Sequence, residues 1–149
     1  MTPANFDYLN PVALLPHKAP MLLVDKVIHT DFQKSITVET AIRKDSLFLK
    51  GHFPGYPLLP GVIILEMMFQ ACGILNRLSK SDSPAKEGSA RIGKAVKVKS
   101  AVFMKEVLPD SLLTVTAEKI QSLFHFSEYR AIASVAGHHV CKAELTLSI

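Results

Sequence analysis

A histidine and a carboxylate fourteen residues apart give this sequence its chemistry. His52 lies in Gly51-His52-Phe53-Pro54-Gly55-Tyr56-Pro57-Leu58-Leu59-Pro60-Gly61-Val62, where three prolines and three glycines fall within twelve residues. Proline restricts φ and glycine permits sharp turns, so the segment predicts a stiff path with little conformational entropy left to lose. Apart from the Tyr56 phenol, His52 is its only titratable side chain. Glu66 follows within Val62–Leu75, a stretch whose only strongly polar members are Glu66 and Gln70. A carboxylate in such surroundings is costly unless it is paired, which predicts a Glu that holds its proton. Gln70 and Gly73 lie four and seven residues on, sharing its helical face, so that an amide stands beside the acid to orient it. A proton-holding Glu with an orienting amide suits a general acid; the alternative is a structural Glu inside a core or subunit interface. The N–H groups of Gly61 and Val62 would open the helix unpaired, at the positive end of its dipole, where they stabilise charge growing on a carbonyl oxygen. Base, acid and oxyanion donors together fit proton abstraction beside a carbonyl, coupled to loss of a hydroxyl.

These groups need a turn and a helix held by a larger frame. Val62–Leu75 is apolar nearly all round, the mark of a buried helix, with Pro60 suited to its first turn. Alternating, β-branched stretches predict strands at Met21–Ile28, Ser35–Ile42, Val96–Met104, Ser111–Ile120, Leu123–Val135 and Val140–Leu147, with turns at Pro109-Asp110 and Ala136-Gly137-His138. Asn10-Pro11 predicts a capped short helix through Leu15, and the polar run Ser79–Ser89 predicts a loop. Strands in succession with one segregated helix predict an α+β fold with a mainly antiparallel sheet wrapped round the helix, in one domain over residues 1–149.

Composition narrows the function classes. The chain has 149 residues, 48% of them hydrophobic and 20% charged, which excludes a disordered, charge-rich segment. Leu58–Leu75 is interrupted by Pro60, Gly61, Glu66 and Gln70, so no membrane span is expected. The first residues show no basic run leading into an apolar stretch, and Cys72 and Cys141 have no paired or zinc-like spacing, which together predict a reduced, cytoplasmic setting. With a net charge of +4, no Trp and no aromatic run, nucleic acid is not the expected partner. The cluster Arg91, Lys94, Lys97 and Lys99 reads as a solvated basic face or a landing site for an acidic protein. His17, His29, His125, His138 and His139 have no carboxylate spacing that suggests a metal and read as structural or surface groups. His17 could approach the site, although capping or packing is the preferred role. Met67, Met68 and Phe69 read as core, with the wall of an apolar tunnel as the sharper alternative, and Cys72 reads as a small apolar filler.

The pattern His-Phe-Pro-x-x-Pro-x-x-Pro-Gly-Val-x-x-x-Glu-x-x-x-Gln from His52 to Gln70 resembles the signature of the 3-hydroxyacyl-acyl carrier protein dehydratases of FabZ type. Leu15-Pro16-His17-Lys18-Ala19-Pro20-Met21-Leu22-Leu23-Val24-Asp25 is similar to that family's opening segment, and Lys142-Ala143-Glu144-Leu145 to its closing strand. The resemblance implies a hotdog fold and a homodimer with active sites between subunits, often as a trimer of dimers. It implies His52 as the base that removes the α-proton of a 3-hydroxyacyl thioester, and Glu66 of the other subunit as the acid for the departing hydroxyl. It further implies the Gly61 N–H on the thioester carbonyl, Gln70 orienting Glu66, and the Leu58 carbonyl on the second nitrogen of His52. Phe53, Pro54, Pro60, Met67 and Phe69 would wall the acyl tunnel. No metal or organic cofactor is expected, because the thioester supplies the acidity, and the substrate would ride on acyl carrier protein. A Glu rather than Asp on the helix resembles the branch that dehydrates without moving the double bond. Ala19-Pro20-Met21, Glu106 and Asp110-Ser111 depart from the usual pattern, where Tyr-Pro-Phe, Pro and Gly-Asp are frequent. The Gly88–Lys99 segment also lacks the aromatic residue that often gates the tunnel. The rival functions are a hotdog thioesterase and a non-catalytic acyl-binding subunit.

Overall fold

The computed structural model describes residues 5–80 and 93–148. Asn10 caps the first helix, its Oδ1 accepting from the Val12 N–H at 3.0 Å, and Pro11 opens α1, Pro11–Leu14. Six strands follow the alternation of apolar and polar residues: β1 (Lys26–Thr30), β2 (Ser35–Ile42), β3 (Lys94–Phe103), β4 (Ser111–Leu123), β5 (Phe126–Val135) and β6 (His138–Ser148). They form one antiparallel sheet in the order β1-β2-β4-β5-β6-β3. The long helix α2, Gly61–Ser79, packs against β2, β4, β5 and β6, and this is the hotdog arrangement.

The core lies between α2 and the inward face of the sheet. Ile36, Val38 and Ile42 alternate inward along β2, as do Leu113, Val115 and Ala117 along β4. Ala131, Ala133 and Ala143 are also buried on β5 and β6, and these small side chains let the helix come close. From α2, Ile64, Met67, Met68, Ile74 and Leu75 are buried, each contributing about 1.5–3 kcal/mol of apolar transfer. By length and hydropathy α2 could cross a membrane, but 56% of it is buried within the fold, as a core helix requires.

Strand ends shift by two or three residues at β3, β4 and β6, and two larger departures have physical reasons. Met21–Asp25 is not strand: β1 begins at Lys26, because side chains hold the backbone of Met21 and Leu23 and only Asp25 N reaches β2, donating to Glu39 O. Gln70 bonds both Met21 O and Leu23 N, Thr40 Oγ1 donates to Leu23 O at 2.7 Å, and Asp25 Oδ2 accepts from Ala41 N at 2.8 Å. The stretch Leu123–Val135 breaks at Phe124-His125, where Phe124 turns with φ of 57° and no Gly, Asn or Pro announces the hairpin. Asp110, at a position where the resemblance expects Gly, adopts φ of 63° and donates its N–H to Ile42 O. Helix α2 runs through Ser79 with Lys80 as its cap, two residues into the expected loop; positions 81–89 of that loop and Arg91 lie outside the described residues.

Candidate active site

The turn between the 3-10 segment Leu47–Leu49 and α2 is cross-braced by its own backbone. His52 N donates to Leu49 O at 3.2 Å, Leu58 N to His52 O at 2.8 Å, and Phe53 and Tyr56 exchange two bonds of 2.9 Å. Gly51 and Gly55 adopt φ of 79° and 76°, a region that side chains disfavour. Leu59 N donates to Val107 O at 2.8 Å, tying the end of the turn to the strand connection beyond β3. Tyr56 Oη donates to Glu106 Oε2 at 2.5 Å, and this hydrogen bond, with the carboxylate's charge, pushes the phenol's pKa up. Glu106, a departure from the expected pattern, thereby holds the turn from outside.

His52 is half-buried, its ring stacked on Phe53 with centroids 4.2 Å apart. Its Nδ1 lies 2.9 Å from the Leu58 carbonyl oxygen. A carbonyl can only accept, so in the neutral ring the hydrogen sits on Nδ1 and the lone pair is left on Nε2. That is the form a base requires.

At the start of α2, Pro60 is the cap residue and not part of the first turn, and it supplies no side-chain hydrogen bond. Ile63 and Ile64 donate back to Pro60 O, whereas the N–H groups of Gly61 and Val62 have no place in the helical ladder. Two donors therefore point off the positive end of a nineteen-residue helix. A Cβ on Gly61 would stand 2.7 Å from Phe103 Cε1, so any larger residue there would have to push that exposed ring aside.

Glu66 sits one turn further on with its side chain 28% exposed. The sequence predicts a carboxyl sunk in a greasy core; the deeply buried polar group is instead Gln70, at 1% exposure. Gln70 Oε1 accepts from Leu23 N at 3.0 Å, while its Nε2 donates to Met21 O at 2.7 Å and to Glu66 Oε1 at 3.2 Å. Those backbone partners fix which way the amide faces and hence which atom meets Glu66. His17, expected to cap or pack, is instead found with Nε2 3.3 Å from Glu66 Oε1. Its place in the opening segment was the only signal.

Among the described residues no hydrogen bond or ion pair joins His52 to Glu66 within the chain. Met67 is buried and, with Leu59, Ile63, Leu22 and Phe48, lines a cavity of about 250 Å³ that neither Glu66 nor His52 lines; Phe69 packs partly buried against the core. Phe53 and Pro54 are exposed on the outside of the turn. Met68 is fully buried core.

The family described as FabA-like domain matches residues 15–144. The 3-hydroxyacyl-[acyl-carrier-protein] dehydratase FabZ of Thiobacillus denitrificans is 39% identical over 135 residues, covering 91% of each chain. That of Bacillus pumilus is 32% identical over 136 residues, covering 91% of this chain and 90% of its own. Among solved structures, the dehydratase heterocomplex ApeI:P from Xenorhabdus doucetiae superposes with a TM-score of 0.80 at 23% identity, over 95% of this chain and 91% of that one. The PaaI protein of E. coli, from the phenylacetic acid degradation operon, superposes with a TM-score of 0.64 at 14% identity, over 83% and 82%. At those identities the two structures speak for the fold.

Proposed function

Because this chain belongs to the FabA-like family, as a 3-hydroxyacyl-[acyl-carrier-protein] dehydratase of fatty acid biosynthesis, we propose that His52 is its base and Glu66 its acid. His52 Nε2 takes the α-proton of the 3-hydroxyacyl thioester, and the electron pair moves onto the thioester oxygen. The N–H groups of Gly61 and Val62 receive that oxyanion. As the enolate collapses to the 2-enoyl thioester, the β-hydroxyl leaves with the Glu66 proton as water. The imidazolium and carboxylate then exchange one proton to reset, so no net charge is left on the enzyme. The observation that carries this reading is the Leu58 carbonyl on His52 Nδ1, which frees Nε2 as a base.

The acid facing a given His52 is supplied by a second copy of the chain. Ten-residue β3 forms one edge of the sheet, opposite β1, and is exposed almost end to end, apolar Val96, Val98, Val102 and Phe103 included. An open edge of that length is a template for another strand. Pairing there would cover the apolar side chains beside the start of α2, and trimers of such dimers extend the same reading. Exposed Lys94, Lys97 and Lys99 offer positive charge to acyl carrier protein, although Lys99 also lies 3.6 Å from Glu144. The acyl chain would run past Met67 and Phe69, with Phe53, Pro54 and Pro60 at the mouth. Unpaired, buried Cys72 and Cys141 favour a reducing cytoplasm.

The test is loss of the enoyl-thioester ultraviolet band as a crotonyl thioester is hydrated, comparing wild type with His52→Ala and Glu66→Gln. Wild type should hydrate it and both variants should fall by at least about a hundredfold. Release of free thiol by wild type would favour a thioesterase instead, and neither reaction a non-catalytic subunit.

A further inference from the structure

Glu66 Oε1 has two nitrogen neighbours, and only one of them follows from the helix. Gln70 Nε2 donates to it from four residues along α2. His17 Nε2 comes within 3.3 Å of the same oxygen from the opening segment. That segment is anchored on both sides of His17. Leu15 is buried, with its Cδ2 3.6 Å from where a Cβ on Gly73 of α2 would stand. Met21 N and Leu22 N close a turn on Lys18 O, and Met21 O is held by Gln70.

The other ring nitrogen of His17 decides its tautomer. Nδ1 is shut off from solvent without a hydrogen-bond partner. An orphaned buried N–H is rarer than an orphaned acceptor, which places the hydrogen on Nε2, facing Glu66. At 3.3 Å the two atoms stand just beyond the N–H···O range of about 2.7–3.2 Å, a close approach that a small shift of the ring would turn into a hydrogen bond. With Gln70 donating to Oε1 and His17 Nε2 beside the same atom, that oxygen behaves as the carbonyl of the acid.

We propose that His17 is a positioning residue for Glu66: by occupying Oε1 alongside Gln70, it leaves the transferable proton on Oε2, the oxygen turned to the substrate's β-hydroxyl. This rests on Glu66 being the acid. Gln at position 17 can place an amide N–H near the Nε2 position, Asn falls short of it, and Phe keeps the ring volume without any donor.

The test measures kcat and KM for hydration of a crotonyl thioester by full-length His17→Phe, His17→Asn and His17→Gln, with Glu66→Gln alongside. Phe and Asn should lower kcat about tenfold with KM within about twofold, and Gln should recover most of the loss. Equal rates for all three, or a loss confined to KM, would overturn the assignment while an inactive Glu66→Gln left the acid in place. Full activity of Glu66→Gln would overturn the acid itself. Should the Phe variant not fold, the Gln and Asn pair reads the same difference.

Discussion

Gln70→Glu changes one atom of the most deeply buried polar side chain on α2, and its consequence can be worked from the contacts. The introduced carboxyl keeps an oxygen for Leu23 N but loses the amide nitrogen that donates to both Met21 O and Glu66 Oε1. While protonated, it can serve only one of those two acceptors, a loss of about 1 kcal/mol. Once ionised, it sets a charge at 1% exposure against a carbonyl oxygen 2.7 Å away and a second carboxyl 3.2 Å away. Burial and like charge both raise its folded pKa above the unfolded value of about 4.3. A raised acid pKa destabilises only above the unfolded pKa, and the penalty grows by about 1.36 kcal/mol per pH unit until the folded pKa is reached. If the carboxyl stays protonated to pH 7, the growth is about 3.7 kcal/mol. Urea unfolding of wild type and variant, at one protein concentration and a series of pH values, should show a gap near 1 kcal/mol at pH 4 that widens to about 4–5 kcal/mol at pH 7. A gap that stays constant with pH would refute the reasoning, because it would mean that water reaches position 70.

Three further outcomes are expected. Gly61→Ala drives a Cβ to 2.7 Å from the Phe103 ring, which must swing aside, and should cost up to about 1 kcal/mol in urea unfolding, with Phe103→Ala in the same chain removing the loss; equal losses in the single and double variants would count against the contact. Burial pushes the Cys72 thiol far up and that of Cys141 to about 11, so Ellman's reagent at pH 8 should find no fast-reacting thiol in the folded protein and two in guanidinium. Asp31 accepts from the N–H groups of Gln33, Lys34 and Ser35, which hold its pKa below the ordinary 3.8. Its stabilisation is complete above that value and lost as pH falls through the lowered one, so Asp31→Ala should be less stable than wild type at pH 6 and converge with it in strong acid.

The turn, the helix and most strands were legible because their signals are local. Proline and glycine spacing marks the His52 turn, period-two alternation marks Ser35–Ile42 to the residue, and Asn10-Pro11 marks α1. The first strand was misread for a reason local pattern cannot contain. Met21–Asp25 has strand-like apolar residues, but the backbone of Met21 and Leu23 is satisfied by the Gln70 and Thr40 side chains. The Phe124-His125 turn escaped because a phenylalanine occupies the left-handed position that glycine or asparagine usually signals.

From sequence alone came the reacting types and their order: an imidazole in a stiff turn, free N–H groups at a helix start, then a carboxyl and an amide one turn apart. Their partners came only from tertiary structure. Gln70 finds its anchors 47 and 49 residues away, and Glu66 finds His17 across a similar span. Spacing reports neighbours along a helix or strand. Which distant segment lies against that helix follows from packing the whole apolar core, and that packing brings the opening segment onto α2 and sets the direction in which the amide and carboxyl face.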